Sequence, residues 1–334
     1  MNSEYVRTNN VTVSKKPEAT SRKASIVALL IGLLLCVIMV ELVAQAFYFF
    51  VVKRQLDSVK TSAFFYLQKS GNDELGYELR PTVNLINDGR LLLINPLGVR
   101  EKSDTIQKQK RRIGLLGDSV VFGINQSQDS TLSELTEDIR GGNIQVINLG
   151  VPGYATPQMI PQLKKYQPTY QFDEVVYLLN LNDFTLRNSI YEGADNGVYR
   201  YFNPPTFKSL WFLRKLIYRI KKKGEVMYNS AYYHWAFNGT KDKIFESLHT
   251  LKEQTTVPFS VIILPAGIGY KNNTYELADM TDEIEQFLKK ENIRYVSPVN
   301  EYSKNTTTLL DETDHLTIKG NKVMAQIISD VLTK

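Results

Sequence analysis

Hydrophobic positions along the chain follow two regimes. Between Ile26 and Val52 lies an almost unbroken apolar run, interrupted by Glu41 and Gln45 near its far end. At 1.5 Å per residue a helix needs roughly 20 such residues to cross a hydrocarbon layer of about 30 Å, so the run predicts one transmembrane helix over 26–52. A cleaved secretory signal competes with this reading, because Ala44-Gln45-Ala46 mimics a small-residue cleavage site. Such signals carry an apolar core of about 7–15 residues, whereas this run continues through Phe50, which favours an uncleaved anchor.

From Arg112 the second regime begins. Short apolar runs read as buried strands at Ile113–Leu116, Gln145–Asn148, Glu174–Leu179, Phe259–Leu264 and Ile293–Val296. Helical patterns separate or follow them: one opening with the capped start Ser130-Thr131-Leu132-Ser133-Glu134, then Gln158–Tyr166, Lys241–Glu253, Tyr275–Lys290 and Ile318–Leu332. Such alternation predicts an α/β domain over 111–334, a parallel sheet with helices on both faces and sites at the carboxyl ends of its strands. Residues 53–110 read as an irregular membrane-proximal segment, with turn signals at Ser70–Asp73, Asn87-Asp88-Gly89 and Asn95-Pro96 and a short strand at Leu91–Ile94. The stretch 185–256 is too long for a simple connection and reads as an insertion. Within it, Phe207–Lys223 forms a basic amphipathic helix, which could lie on an anionic membrane. The reading favoured here packs its Leu/Trp face on the core and turns its charges to water.

Charge refines this picture. The 334 residues carry a formal charge of +5, with 40 Lys+Arg against 35 Asp+Glu. Residues 53–334 hold 35 basic and 32 acidic side chains, too balanced for general nucleic-acid binding. Residues 1–25, rich in Ser, Thr, Asn and Lys, read as a disordered tail. Arg7, Lys15, Lys16, Arg22 and Lys23 precede the apolar run, and Lys53, Arg54 and Lys60 follow it. The positive-inside rule then keeps the tail cytoplasmic and puts the α/β domain on the extracytoplasmic side, periplasmic or extracellular. The lone Cys36 sits within the apolar run, which excludes an internal disulfide and a cysteine-based zinc site.

Candidate chemistry gathers at strand ends. Ile113–Leu116 runs into Gly117-Asp118-Ser119, putting a hydroxyl at the carboxyl end of a strand. Serine is a weak nucleophile without a base. Of three histidines, His234 lies among aromatics and His249 in mid-helix, while His315 sits in the acid-crowded loop Asp311-Glu312-Thr313-Asp314-His315 before the final helix. Asn148–Tyr154 follows the second strand and Asn180-Leu181-Asn182-Asp183 the third, offering a glycine N–H and an asparagine amide to an oxyanion.

These four pieces, in this chain order, resemble the SGNH (GDSL-type) hydrolases over roughly residues 112–332. The resemblance implies a flavodoxin-like three-layer α/β/α sandwich. It implies Ser119 as nucleophile and His315 as base, an oxyanion hole from the Ser119 and Gly153 N–H groups and the Asn182 side chain, and no metal or organic cofactor. Leu75-Gly76-Tyr77, Asn95–Arg100 and Asn148–Tyr154 also look like membrane-tethered bacterial members, many of which modify surface polysaccharides. Three positions depart from the pattern. Val120 replaces the name-giving leucine, the third block lacks its leading glycine, and the family's acid, three residues before the histidine, falls on Glu312. Glu312 fits that spacing and Asp311 the usual residue type, while Asp314 adjoins the histidine and points away. The expectation is a single-pass, membrane-anchored serine esterase acting on an O-acyl, foremost O-acetyl, group of a carbohydrate, or on a lipid or small ester. The alternatives are an O-acyltransferase to a surface glycan, working with membrane-bound polysaccharide-assembly partners, and a non-catalytic tethered scaffold or glycan-binding module.

Overall fold

The computed structural model describes residues 22–54, 65–185, 201–221, 229–271, 274–303, 306–311 and 315–333. Residues 1–21 of the expected N-terminal tail, Lys60, parts of the insertion (186–200 and 222–228), Glu312 and Asp314 lie outside the described residues, while residues 22–25, expected in the tail, open the first helix. Helix α1 (Arg22–Phe47) continues through a π turn to Val52. Over Lys23–Val52 it is long and apolar enough to cross a membrane, a property it shares with signal sequences. Its side chains are exposed except near Glu41, Ala44, Gln45 and Tyr48.

Two antiparallel pairs follow, β1 (Leu67–Lys69) with β2 (Tyr77–Leu79) and β3 (Val83–Asn87) with β4 (Arg90–Ile94). The second turns at Asp88-Gly89, both with positive φ as a tight hairpin requires. The α/β unit then runs β5 (Arg111–Leu116), α2 (Ser119–Phe122), α3 (Leu132–Ile139), β6 (Ile144–Asn148), α4 (Thr156–Tyr170) and β7 (Glu174–Asn180). Next come α5 (Lys208–Lys221), α6 (Ser230–Gln254), β8 (Phe259–Leu264), the short pair β9 (Tyr270–Lys271) and β10 (Thr274–Tyr275), α7 (Ala278–Lys290) and β11 (Arg294–Val296). Two short helices, α8 (Val299–Ser303) and α9 (Thr306–Leu309), lead to α10 (Ile318–Val331).

The main sheet has the order β11-β8-β7-β5-β6, all neighbours parallel. Counted along the chain this is the 2-1-3-4-5 order of the flavodoxin-like sandwich, and its crossover reverses at β5. Each expected strand is present because a strand buried on both faces is largely apolar, as in β7, which is buried at all seven positions and apolar from Val175 to Leu179. One face carries Met159, Leu163, Ile244, Leu248 and Ile284 of α4, α6 and α7. The other carries Leu132, Met324, Ala325 and Ile328 of α3 and α10.

Two expectations change. Residues 65–100, expected to be irregular but for a strand at Leu91–Ile94, which is present in β4, also form β1, β2 and β3, and Tyr66, Leu67, Tyr77, Leu79 and Val99 of this stretch join the core under α4. Runs of three to five residues between turns are too short to show a period-2 pattern. The basic helix α5 does not bury its Leu/Trp face on the α/β core. Trp211 packs edge-on against Tyr48 and Phe212 against Phe47, both of α1 and its π turn, while Leu213 and Ile220 remain exposed.

Candidate active site

The site sits where the sheet order reverses, above the carboxyl ends of β5, β6 and β7. After β5, Asp118 caps the single-turn helix α2 by accepting the Val120 N–H at 2.9 Å, which leaves Ser119 as its first residue. The turn must be tight, and two glycines permit it. A Cβ on Gly117 would lie 2.3 Å from Val121 Cγ2, and one on Gly150 would lie 2.2 Å from the backbone N of Phe122. Asn148 ties β6 to the same turn, donating to Val121 O at 2.8 Å and accepting the Gly150 N–H at 3.1 Å.

Ser119 Oγ lies 2.8 Å from His315 Nε2, across 196 residues of sequence. The histidine loop is closed by two bonds between Asp311 and His315, one between backbones and one to the Asp311 carboxylate. Asp311 N–H donates to His315 O at 2.8 Å, and the His315 N–H donates to Asp311 Oδ1 at 3.1 Å. Asn125 donates to Asp311 Oδ2 at 2.8 Å and Gln126 to Leu316 O at 2.7 Å, so the loop after α2 grips the loop that carries the histidine. Glu312, the other acid singled out by sequence, lies outside the described residues. His234 pairs with Asp279 and His249 with Glu291, which fits the structural roles expected of them.

Gly153 sits at φ +82°, in a left-handed turn open to glycine at little cost. Tyr77 of β2 holds that turn by donating to Pro152 O at 2.8 Å, and Tyr154 donates back to Tyr77 O. Asn182 gives one amide hydrogen to Asp118 Oδ2 at 3.0 Å, leaving its second for another acceptor. Burial pushes the Asp118 carboxyl up, opposed by the Val120 N–H and the Asn182 amide. Below it, burial and then the nearby Asp118 charge push Asp183 well above the usual carboxylate range, and the Tyr177 hydroxyl donates to Asp183.

Sequence reasoning missed Arg100. It is 1% exposed, and among the described residues no carboxylate pairs with it. Its guanidinium donates to the carbonyls of Phe122 (2.8 Å), Gly123 (2.5 Å) and Gln126 (2.7 Å) and to Gln128 Oε1 (3.3 Å), and lies over the Phe122 ring. It collects the carbonyls where α2 ends, of which Gly123 O also accepts the Gln126 N–H. Burial pulls it down to about 10, still charged at neutral pH. The Asn95–Arg100 segment was the only hint in the sequence. Among the described residues no His/Cys/Asp/Glu group is arranged to hold a metal.

No protein-family model and no curated protein matches the sequence. Solved structures do align with it. Psychrotrophic esterase EstA from Pseudoalteromonas sp. matches at 14% identity and TM-score 0.41, over 66% of this chain and 96% of that one. An acetylxylan esterase from Geobacillus stearothermophilus gives 14% and 0.40, over 66% and 93%. A GDSL-like lipase from Bacteroides thetaiotaomicron gives 13% and 0.39, over 68% and 90%. Of these neighbours two are described as esterases and one as a GDSL-like lipase. The chemistry of this chain follows from its own residues.

Proposed function

We propose that the protein is a serine esterase that works through an acyl-enzyme. The 2.8 Å contact between Ser119 Oγ and His315 Nε2 carries this reading. With Nε2 unprotonated, His315 takes the Ser119 proton as Oγ attacks the ester carbonyl carbon. The oxyanion that forms is held by the N–H groups of Ser119 and Gly153 and the free hydrogen of Asn182, donors aimed where charge develops. His315 then protonates the departing alcohol, and water resolves the acyl-enzyme by the reverse sequence. A carboxylate on Nδ1 must fix the imidazole tautomer. We assign this to Glu312, three residues before His315, with Asp311, whose oxygens accept from Asn125 and the His315 N–H, as the alternative.

We further read α1 as an uncleaved anchor with the α/β domain on the extracytoplasmic side, and an O-acetylated glycan as the foremost substrate. The apolar length of α1 supports the anchor. The glycan rests on the resemblance to tethered bacterial members.

Turnover of a short-chain aryl ester tests the esterase reading. Ser119→Ala should lose about 10³-fold or more in kcat/KM and all labelling by a fluorophosphonate, with the melting temperature retained. Equal labelling of the variant would mean that another serine reacts. No turnover by the wild-type chain would favour the scaffold alternative, and product appearing only with an alcohol acceptor would favour the transferase.

A further inference from the structure

A carboxylate inside a membrane-crossing helix is costly unless it is paired. Glu41 of α1 is paired with the start of α5. Its oxygens accept the backbone N–H groups of Lys208 (2.9 Å) and Ser209 (3.0 Å) and the Ser209 hydroxyl. These are donors that the first turn of a helix leaves open, at its positive end. Gln45, which donates to Glu41 at 2.6 Å, also donates to Thr206 O at 2.9 Å. Glu41 stands fifteen residues beyond Ile26, roughly 23 Å along the helix, close to the far boundary of a hydrocarbon layer about 30 Å thick. The start of α5 is therefore fixed to the anchor at that depth.

The rest of α5 carries an apolar face that no part of the described chain covers. Leu210, Leu213, Leu216, Ile217 and Ile220 are 43–67% exposed. At 100° per residue they fall within an arc of about 120°. Residues 207–223 hold seven Lys/Arg and no acid, and Lys208, Lys215 and Arg219 lie outside that arc. Isolated exposed leucines need no explanation, but a continuous stripe of five on a basic helix does. Where α5 meets α1, a cavity of about 260 Å³ is lined by Tyr48, Phe49 and Tyr201 with Lys53 and Lys208, aromatic walls beside two cations as at a bilayer interface.

We propose that α5 lies in the bilayer interface on the α/β side of the membrane, its Leu/Ile face among acyl chains and its Lys/Arg against anionic lipid headgroups. The helix is continuous with the anchor through Glu41, and its charge complements an anionic leaflet. The domain is thereby held against the membrane at two elements, so its orientation is fixed as well as its tether. This inference rests on α1 being a membrane anchor.

The test uses the full chain with Cys36→Ser and a single cysteine at Leu213→Cys, Ile220→Cys or, as control, Asp330→Cys. Each is labelled with an environment-sensitive dye and reconstituted in phosphatidylcholine–phosphatidylglycerol vesicles. A lipid quencher placed high on the acyl chain should quench dyes at 213 and 220 and spare 330. Adding Arg214→Glu with Lys215→Glu, or omitting phosphatidylglycerol, should lose that quenching. Dyes at 213 and 220 as water-exposed as at 330 would overturn the proposal. So would a blue-shifted but unquenched dye, the mark of a protein partner on this face. Release of the chain by alkaline carbonate would instead overturn the anchor reading, which separates the two failures.

Discussion

On the serine side of the site, Ser119 opens α2 just beyond the carboxyl end of β5, its turn pressed against Gly150 and its loop carbonyls gathered by buried Arg100. On the histidine side, His315 stands on a loop between α9 and α10, held by two bonds with Asp311 and by the side chains of Asn125 and Gln126. The first arrangement is built from core packing and buried polar bonds, the second from a few hydrogen bonds between two loops, of which one is buried and one exposed. Damage to the serine side should therefore appear as lost stability, and damage to the histidine side as lost rate in a protein that still folds.

The sharpest test of that contrast lies in the two acids. Glu312→Gln should lower kcat by about 10³–10⁴-fold with the melting temperature unchanged, whereas Asp311→Asn should cost only several-fold. Equal losses in steady-state assays would break the assignment. On the serine side, Arg100→Met takes the guanidinium donor from three buried carbonyls. It should cost more than about 4 kcal/mol in denaturant unfolding and take activity with it. A stable but slow Arg100 variant would erase the distinction between the two sides.

The smallest effect concerns Glu101, beside Arg100. Burial pushes its carboxyl up to about 8 from 4.5, despite the bond from Gln145. A folded value above the unfolded one means that its stability contribution is complete below about pH 4.5 and is lost as pH rises toward 8. Glu101→Gln should thus melt with the wild type at low pH and gain roughly 2–3 kcal/mol on it by neutral pH. Parallel melting curves from pH 4 to 8 would show that Glu101 is not held neutral.

Much of the fold was legible because the central parallel strands carry short, mostly apolar runs and are bounded by turns. The candidate serine and histidine were legible because one follows a strand end and the other precedes the final helix. Arg100, Asn125 and Gln126 were not, since their partners are carbonyls and side chains brought near only by folding. For α5 the sequence displayed an amphipathic helix but could not say which surface it meets. Glu41, read there as a mere interruption of the apolar run, is the residue that decides it.

The long sequence gap between nucleophile and base also sets when the chain can act during its own synthesis. Ser119 leaves the ribosome 196 residues before His315, and β5, β6 and β7 can pair before the base exists. A nascent chain stalled anywhere in that interval displays a folded but inert hydroxyl. Onset of ester cleavage would therefore report that the last helix has docked, a timer read out in product.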